Sequence, residues 1–217
     1  MSSRTTRTTR TAAASGVAAL VATAGLGLGA APAHADPLPA PSTTTCDPYS
    51  STDLFWYGLV STKVEPVVTD FLAVAITPGT TGTRTSTLTE TDSVTTTVNA
   101  SAEVTADFKA LFAKVTVKVG FSVSDTKSTT HSSTVTSTVN FNSPGYYGVF
   151  RGTRKVTGQY VRYVCARSGS TGYWINTTPN GPGAFTTFDI PEVGTVSCAS
   201  PEPAGSLRAT ARARLFC

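Results

Sequence analysis

The chain has 217 residues, with 17 Lys or Arg against 13 Asp or Glu and a formal charge of +4. Three of the basic residues, Arg4, Arg7 and Arg10, lie in an N-terminal stretch that holds no acid, so the remainder carries fourteen basic against thirteen acidic groups, a net +1. A near-neutral body with few charges and many hydroxyls excludes a nucleic-acid-binding surface and suits an extracellular β-sheet.

Residues 1–35 read as a signal peptide. The three arginines form a basic start, AAASGVAALVATAGLGLGA an apolar stretch, and Ala33-His34-Ala35 a small-x-small cleavage site, placing the mature start at Asp36. No adjacent Arg-Arg pair is present, which favours general export over the twin-arginine route. A secreted protein is therefore expected. About 180 residues remain, enough for one domain with a real core. Cys46, Cys165, Cys198 and Cys217 all lie in the exported part, where disulfides form. Four cysteines permit three pairings; Cys165–Cys198 is the expected one, because both flank the same aromatic-rich segment. With no two cysteines close in sequence, neither a metal site nor a cofactor is expected.

Residues 36–52, DPLPAPSTTTCDPYSST, predict an extended lead-in. Residues 53–200 then read as a single elongated β-rich domain. DLFWYGLV (53–60) and VEPVVTDFLAVAIT (64–77) are apolar enough to be buried, with Phe55, Trp56 and Tyr57 as anchors, and PGTTG (78–82) is a turn. In TRTSTLTETDSVTTTV (83–98) every odd position is hydroxylated, and TTHSSTVTSTVNF (129–141) repeats the pattern on its even positions. Period-2 order with branched Cβ atoms predicts strands. Sixteen extended residues span on the order of 50 Å. A Thr-rich stalk without fixed structure would need no such alternation.

The segment between these strands, 102–123, fits two periodicities. At 3.6 residues per turn Val104, Phe108, Leu111, Phe112 and Val115 form one stripe, which gives a helix over 102–113 capped by Ser101, followed by a half-buried strand over 115–123. At period 2, Ala102, Val104, Ala106, Phe108 and Ala110 alternate with Glu103, Thr105, Asp107 and Lys109. Val115, Val117, Val119, Phe121 and Val123 alternate with Thr116, Lys118, Gly120 and Ser122, which gives a hairpin tipped by LFAK (111–114). The resting protein is expected to use helix, or helix plus strand. After the turn NSPG (142–145), shorter strands are predicted through YYGVFRG, KVTGQYVRYVC and TGYWINTT, and 201–217 reads as a loose basic tail.

The layout of long Ser/Thr strands (83–98 and 129–141) bracketing an amphipathic insert, followed by the Pro144-Gly145 turn and further strands, resembles the aerolysin and ε-toxin-like family of β-pore-forming proteins over about residues 77–165. The resemblance implies a mainly β, elongated antiparallel sheet with one short amphipathic helix at most. It also implies a protein that is monomeric in solution and a homo-oligomer on a target membrane. Val104, Phe108, Leu111, Phe112, Val115, Val117, Val119, Phe121 and Val123 are the candidate membrane-inserting residues, nine per arm being enough to span a bilayer. Two features depart from the family: three of the five apolar residues in 102–110 are Ala, and 36–77 is short for a separate receptor-binding domain.

The second reading is a β-rich surface protein that binds a cell-surface glycan and enters no bilayer. Trp56, Tyr57, Tyr146, Tyr147, Tyr173 and Trp174 are its candidate ligand-binding aromatics. An enzyme is not expected. His131, the sole histidine after the leader, sits on a Ser/Thr strand with Asp125 as the nearest acid, and Glu90 with Asp92 reads as a solvated face. No phosphate-loop, nucleophile-elbow or HExxH pattern is present.

Overall fold

A computed structural model describes residues 37–50, 54–89, 93–99, 108–130 and 134–217, which belong to one unit, Pro37–Cys217. The leader, Val104, Glu90, Asp92 and His131 lie outside the described residues. The elements in chain order are β1 (Thr45–Cys46), β2 (Phe55–Ile76), β3 (Gly82–Leu88), β4 (Thr97–Val98), α1 (Lys109–Val119), β5 (Val135–Phe141), β6 (Gly145–Ser168), β7 (Thr171–Asn176), β8 (Gly183–Phe188), β9 (Glu192–Ser197) and α2 (Leu207–Ala213). Among the described residues the strands form a seven-stranded antiparallel sheet and a separate two-stranded one. The protein is mainly β, with short helices, as its composition and alternation predict.

The long strands are not the predicted ones. β2 has 22 residues and β6 has 24, and they pair from Phe55↔Val164 to Ile76↔Gly145 with bulges at Leu59/Ser61 and Val68/Asp70. Opposite β2, the other side of β6 carries β9, β8 and β7 in succession. Among the described residues no strand pairs with the other edge of β2, and this explains Pro66 in its middle. A residue with no N–H is tolerated in a strand paired on one side only.

The predicted 83–98 strand is cut to β3 plus the two residues of β4, which pairs with β8 instead. The 129–141 strand is cut to β5. Thr85 and Thr138 hydroxyls meet at 3.1 Å across the β3–β5 ladder, but beyond Leu88 the chain leaves its partner because Val94 and Val98 bury themselves elsewhere. Among the described residues the bridge Thr95↔Thr129 and a hydrogen bond from the Val94 N–H to the Thr130 hydroxyl link the two arms there.

Consecutive residues of β6 face opposite sides, and each side is covered at the end nearest Gly145. Val149 joins Val74, Leu88 and Phe141 beneath the β3–β5 ladder, whereas Phe150 joins Val68 and Val196 beneath Leu207 and Ala211 of α2. Gly152 makes that seat possible: a Cβ there would stand 2.7 Å from Leu207 Cδ1 and 2.6 Å from the Val67 carbonyl oxygen.

Residues 201–217 are thus no loose tail. Ser206 caps α2 by accepting from the Ala209 N–H at 3.0 Å. The tail's arginines are consumed by carbonyls: Arg208 donates to Thr195 O, Arg212 to Ser197 O and Cys198 O, and Arg214 to Val68 O. Arg208 also grips Glu202 through two hydrogen bonds of 2.8 and 2.9 Å, and this holds the Glu202 carboxyl below the usual carboxylate range. A depressed carboxylate supports folding above its unfolded pKa, so this contribution to the docking of α2 is lost as pH falls through the folded value.

The disulfides are Cys46–Cys165 and Cys198–Cys217, not the expected Cys165–Cys198. Cys165 lies at one end of β6 and Cys198 follows β9 beside the other end, so the length of β6 forbids that bond. The bonds close separations of 119 and 19 residues. On loop entropy the first contributes about 5 kcal/mol and the second about 3 kcal/mol. Urea unfolding of Cys46→Ser/Cys165→Ser should show the larger drop in midpoint; a larger drop for Cys198→Ser/Cys217→Ser would contradict this assignment of constraint.

Candidate functional site

The described part of the amphipathic insert folds as α1 over Lys109–Val119. The expected helix is thus present at 109–113 and runs on in place of the expected strand over 115–123, while Ser101 and residues 102–107 lie outside the described residues. Gly120 stops it in the left-handed region at φ 78°, its N–H reaching the Thr116 carbonyl at 2.9 Å. Leu111, Phe112 and Val115 are fully buried in a core with Tyr57, Val98, Val156, Tyr160 and Phe185. Phe108 packs 5.8 Å from the Tyr57 ring and 6.0 Å edge-on to Tyr160, and Phe112 lies edge-on to Phe185. Val119, Phe121 and Val123 pack half-buried against the same cluster. Val117 alone among the described candidate inserting residues points outward, 84% exposed.

Local preference and observed conformation conflict here. Val115, Thr116, Val117 and Val119 are β-branched, favouring strand over helix. Phe108 at the N-cap offers no side-chain bond, and the first turn has no acid. The helix is therefore held by burial against the sheet more than by its own sequence. Lys114 adds a polar clasp: its ammonium donates to the Tyr57 carbonyl and sits 4.4 Å from the centre of the Trp56 ring. Desolvation there holds its pKa below the ordinary lysine value. Just beyond, Phe121 lies 3.7 Å under the Arg154 guanidinium, which is itself paired with Asp189.

The six candidate aromatics separate. Tyr57 is core, and Tyr146 and Tyr147 lie at the far end of β6, where Tyr147 packs 4.8 Å from Phe141. Tyr173 is exposed but faces away from Trp174, its neighbour on β7. Trp56 and Trp174 come together, lining a cavity of about 300 Å³ with Phe55, Thr43, Thr45 and Asp47. The lead-in residues were not predicted to belong to a site; the Cys46–Cys165 bond is what brings them there. No helix among the described residues is long and apolar enough to cross a membrane, which says nothing about crossing by strands.

No family model, curated protein or solved structure matches the chain.

The conformational conflict in α1 can be measured. Val117→Ala removes a β-branched residue from an exposed helical position and should stabilise the folded protein by about 0.5 kcal/mol. Leu111→Ala, at a fully buried position of the same helix, should cost about 2–5 kcal/mol. Thermal unfolding reads both, and a destabilising Val117→Ala would show that local propensity is not opposed to the helix.

Proposed function

We propose that the protein is a secreted, non-enzymatic, aerolysin-like pore former, monomeric in solution. On a target membrane it assembles into a homo-oligomer and converts the insert around α1 into a bilayer-crossing hairpin. The observation that carries this reading is the register of β3 and β5, which pairs Gly82 with Phe141 and Leu88 with Val135 without a slip. Continued through the insert, that register opposes Phe108 to Val115, Ala106 to Val117, Val104 to Val119 and Ala102 to Phe121, apolar against apolar. The other face opposes Lys109 to Lys114, Asp107 to Thr116, Thr105 to Lys118 and Glu103 to Gly120. The ladder closes on Leu111 and Phe112.

A register shifted by one residue would set each apolar residue of one arm against a polar residue of the other. A continuous apolar face opposite a polar one is the pattern of a transmembrane barrel strand, and an arm of nine residues suffices at a barrel's tilt. The bridge Thr95↔Thr129 stands one residue out of this register, so conversion would break it as well as undock α1. A lone hairpin would leave unpaired edges in lipid, so several copies must close a barrel. The two disulfides are compatible with an extracellular protein, in keeping with the leader-like N-terminus.

All native cysteines are engaged in disulfides, so single cysteines at 115–123 can be labelled with a polarity-sensitive dye. With vesicles, emission should turn apolar at Val115, Val117, Val119, Phe121 and Val123 and stay polar at Thr116, Lys118, Gly120 and Ser122, together with release of trapped solute. Emission that no lipid mixture alters, with no release, rejects the reading.

A further inference from the structure

The cavity at the Cys165 end of the sheet has a composition that the pore-forming reading does not use. Phe55, Trp56 and Trp174 give it apolar walls, and the lead-in supplies the hydroxyls of Ser42, Thr43 and Thr45 with the carboxylate of Asp47. The walls are fixed. Trp56 is braced edge-on by Tyr163 at 5.6 Å, the lead-in is tied by Cys46–Cys165, and the backbone N–H of Trp174 donates to the Thr44 carbonyl at 3.2 Å. The polar groups are only partly spent. Asp47 Oδ1 accepts from the Tyr49 N–H at 2.9 Å, while Oδ2 has no protein donor among the described residues. The Thr43 hydroxyl donates to the Thr45 carbonyl, leaving its lone pairs to accept. Among the described residues Trp174 has no aromatic partner for its ring.

We infer that this cavity is a binding site for a neutral hexopyranose. A pyranose ring presents a face of C–H groups and a rim of hydroxyls, and an indole face beside a carboxylate and three hydroxyls answers both. Vicinal sugar hydroxyls donating to Asp47 form charge-assisted bonds. Among the described residues lining the cavity Asp47 is the only charged one, so an acidic sugar meets like charge and is rejected. At about 300 Å³ the space suits one or two sugar rings, at the lower limit of ligand pockets. The site meets α1 at Trp56, beneath Lys114, but Asp47 and Trp174 belong to other segments, so sugar binding and pore formation can fail separately.

The chain's two tryptophans both line this cavity, so its intrinsic tryptophan emission reports on the site. Through Lys114 over Trp56 it reports on the docking of α1 as well, which is why the titration is run without lipid. The full protein would be titrated with lactose, cellobiose and N,N′-diacetylchitobiose, with sialyllactose as the acidic probe. The expected result is a saturable blue shift with at least one neutral disaccharide at millimolar concentration or below, and at least tenfold weaker response to sialyllactose. Trp174→Ala and Asp47→Asn should each weaken binding at least about tenfold. Asp47→Asn keeps the acceptor for the Tyr49 N–H and lies on an exposed turn, so it decides the matter even where Trp174→Ala perturbs folding. No saturable shift with any of the three neutral sugars overturns the inference, as does binding that survives Asp47→Asn undiminished. Vesicle permeabilisation by Asp47→Asn on glycan-free lipid should equal that of the unsubstituted protein, which separates this site from the pore-forming reading.

Discussion

Backbone hydrogen bonding along β6 is the constraint on which the rest of the molecule depends. A strand of 24 residues exposes donors and acceptors on both edges, and buried ones must be satisfied. One edge is met by β2 alone, over nearly its whole length, and the other by β9, β8 and β7 in turn. Each cover lies where β6 directs its side chains: α2 over Phe150, the β3–β5 ladder over Val149, α1 over Val156 and Tyr160. Both disulfides tie down segments that β6 does not pair directly, the lead-in at one end and the C-terminal residues at the other.

That arrangement leaves β2 with a flank that no described strand pairs, and the sequence guards it. Pro66 removes a donor, Lys63 and Glu65 place an ion pair beside it, and two bulges twist the strand. Near Tyr57 the guard is α1 itself, whose Lys114 occupies a carbonyl of β2. The segment proposed to leave the sheet is thus one whose departure uncovers both an apolar core and a strand edge.

The β class was legible because hydroxyl alternation and β-branched content signal a pleated surface whatever the pairing. Strand length was not. The Ser/Thr runs alternate over long stretches but have little apolar area with which to hold a ladder, so they yield at Leu88 and Val135. β2 and β6 alternate poorly, because α1, α2 and the small ladder cover them unevenly, and their length was hidden for that reason. In 102–123 both periods are satisfied at once; tertiary burial of Leu111, Phe112 and Val115 decides for helix, a choice with no local signature. Within the candidate aromatic site, Trp56 and Trp174 could be named from residue type. Thr43, Thr45 and Asp47 could not, since their place follows from a disulfide whose partner is set by three-dimensional distance.

The pairings are also nested. Thr95↔Thr129 lies inside β3–β5, which lies inside β2–β6, which lies inside Cys46–Cys165. Contacts between residues as distant as Phe55 and Val164 carry a heavy loop-closure cost when made alone. Once Gly82 meets Phe141, only two short turns separate Ile76 from Gly145, and the long ladder can grow outward one pair at a time. On loop-closure cost alone, a ladder nested in this way is cheapest to close from the inside outward. The covalent bond at Cys46 closes the outermost loop of that nest.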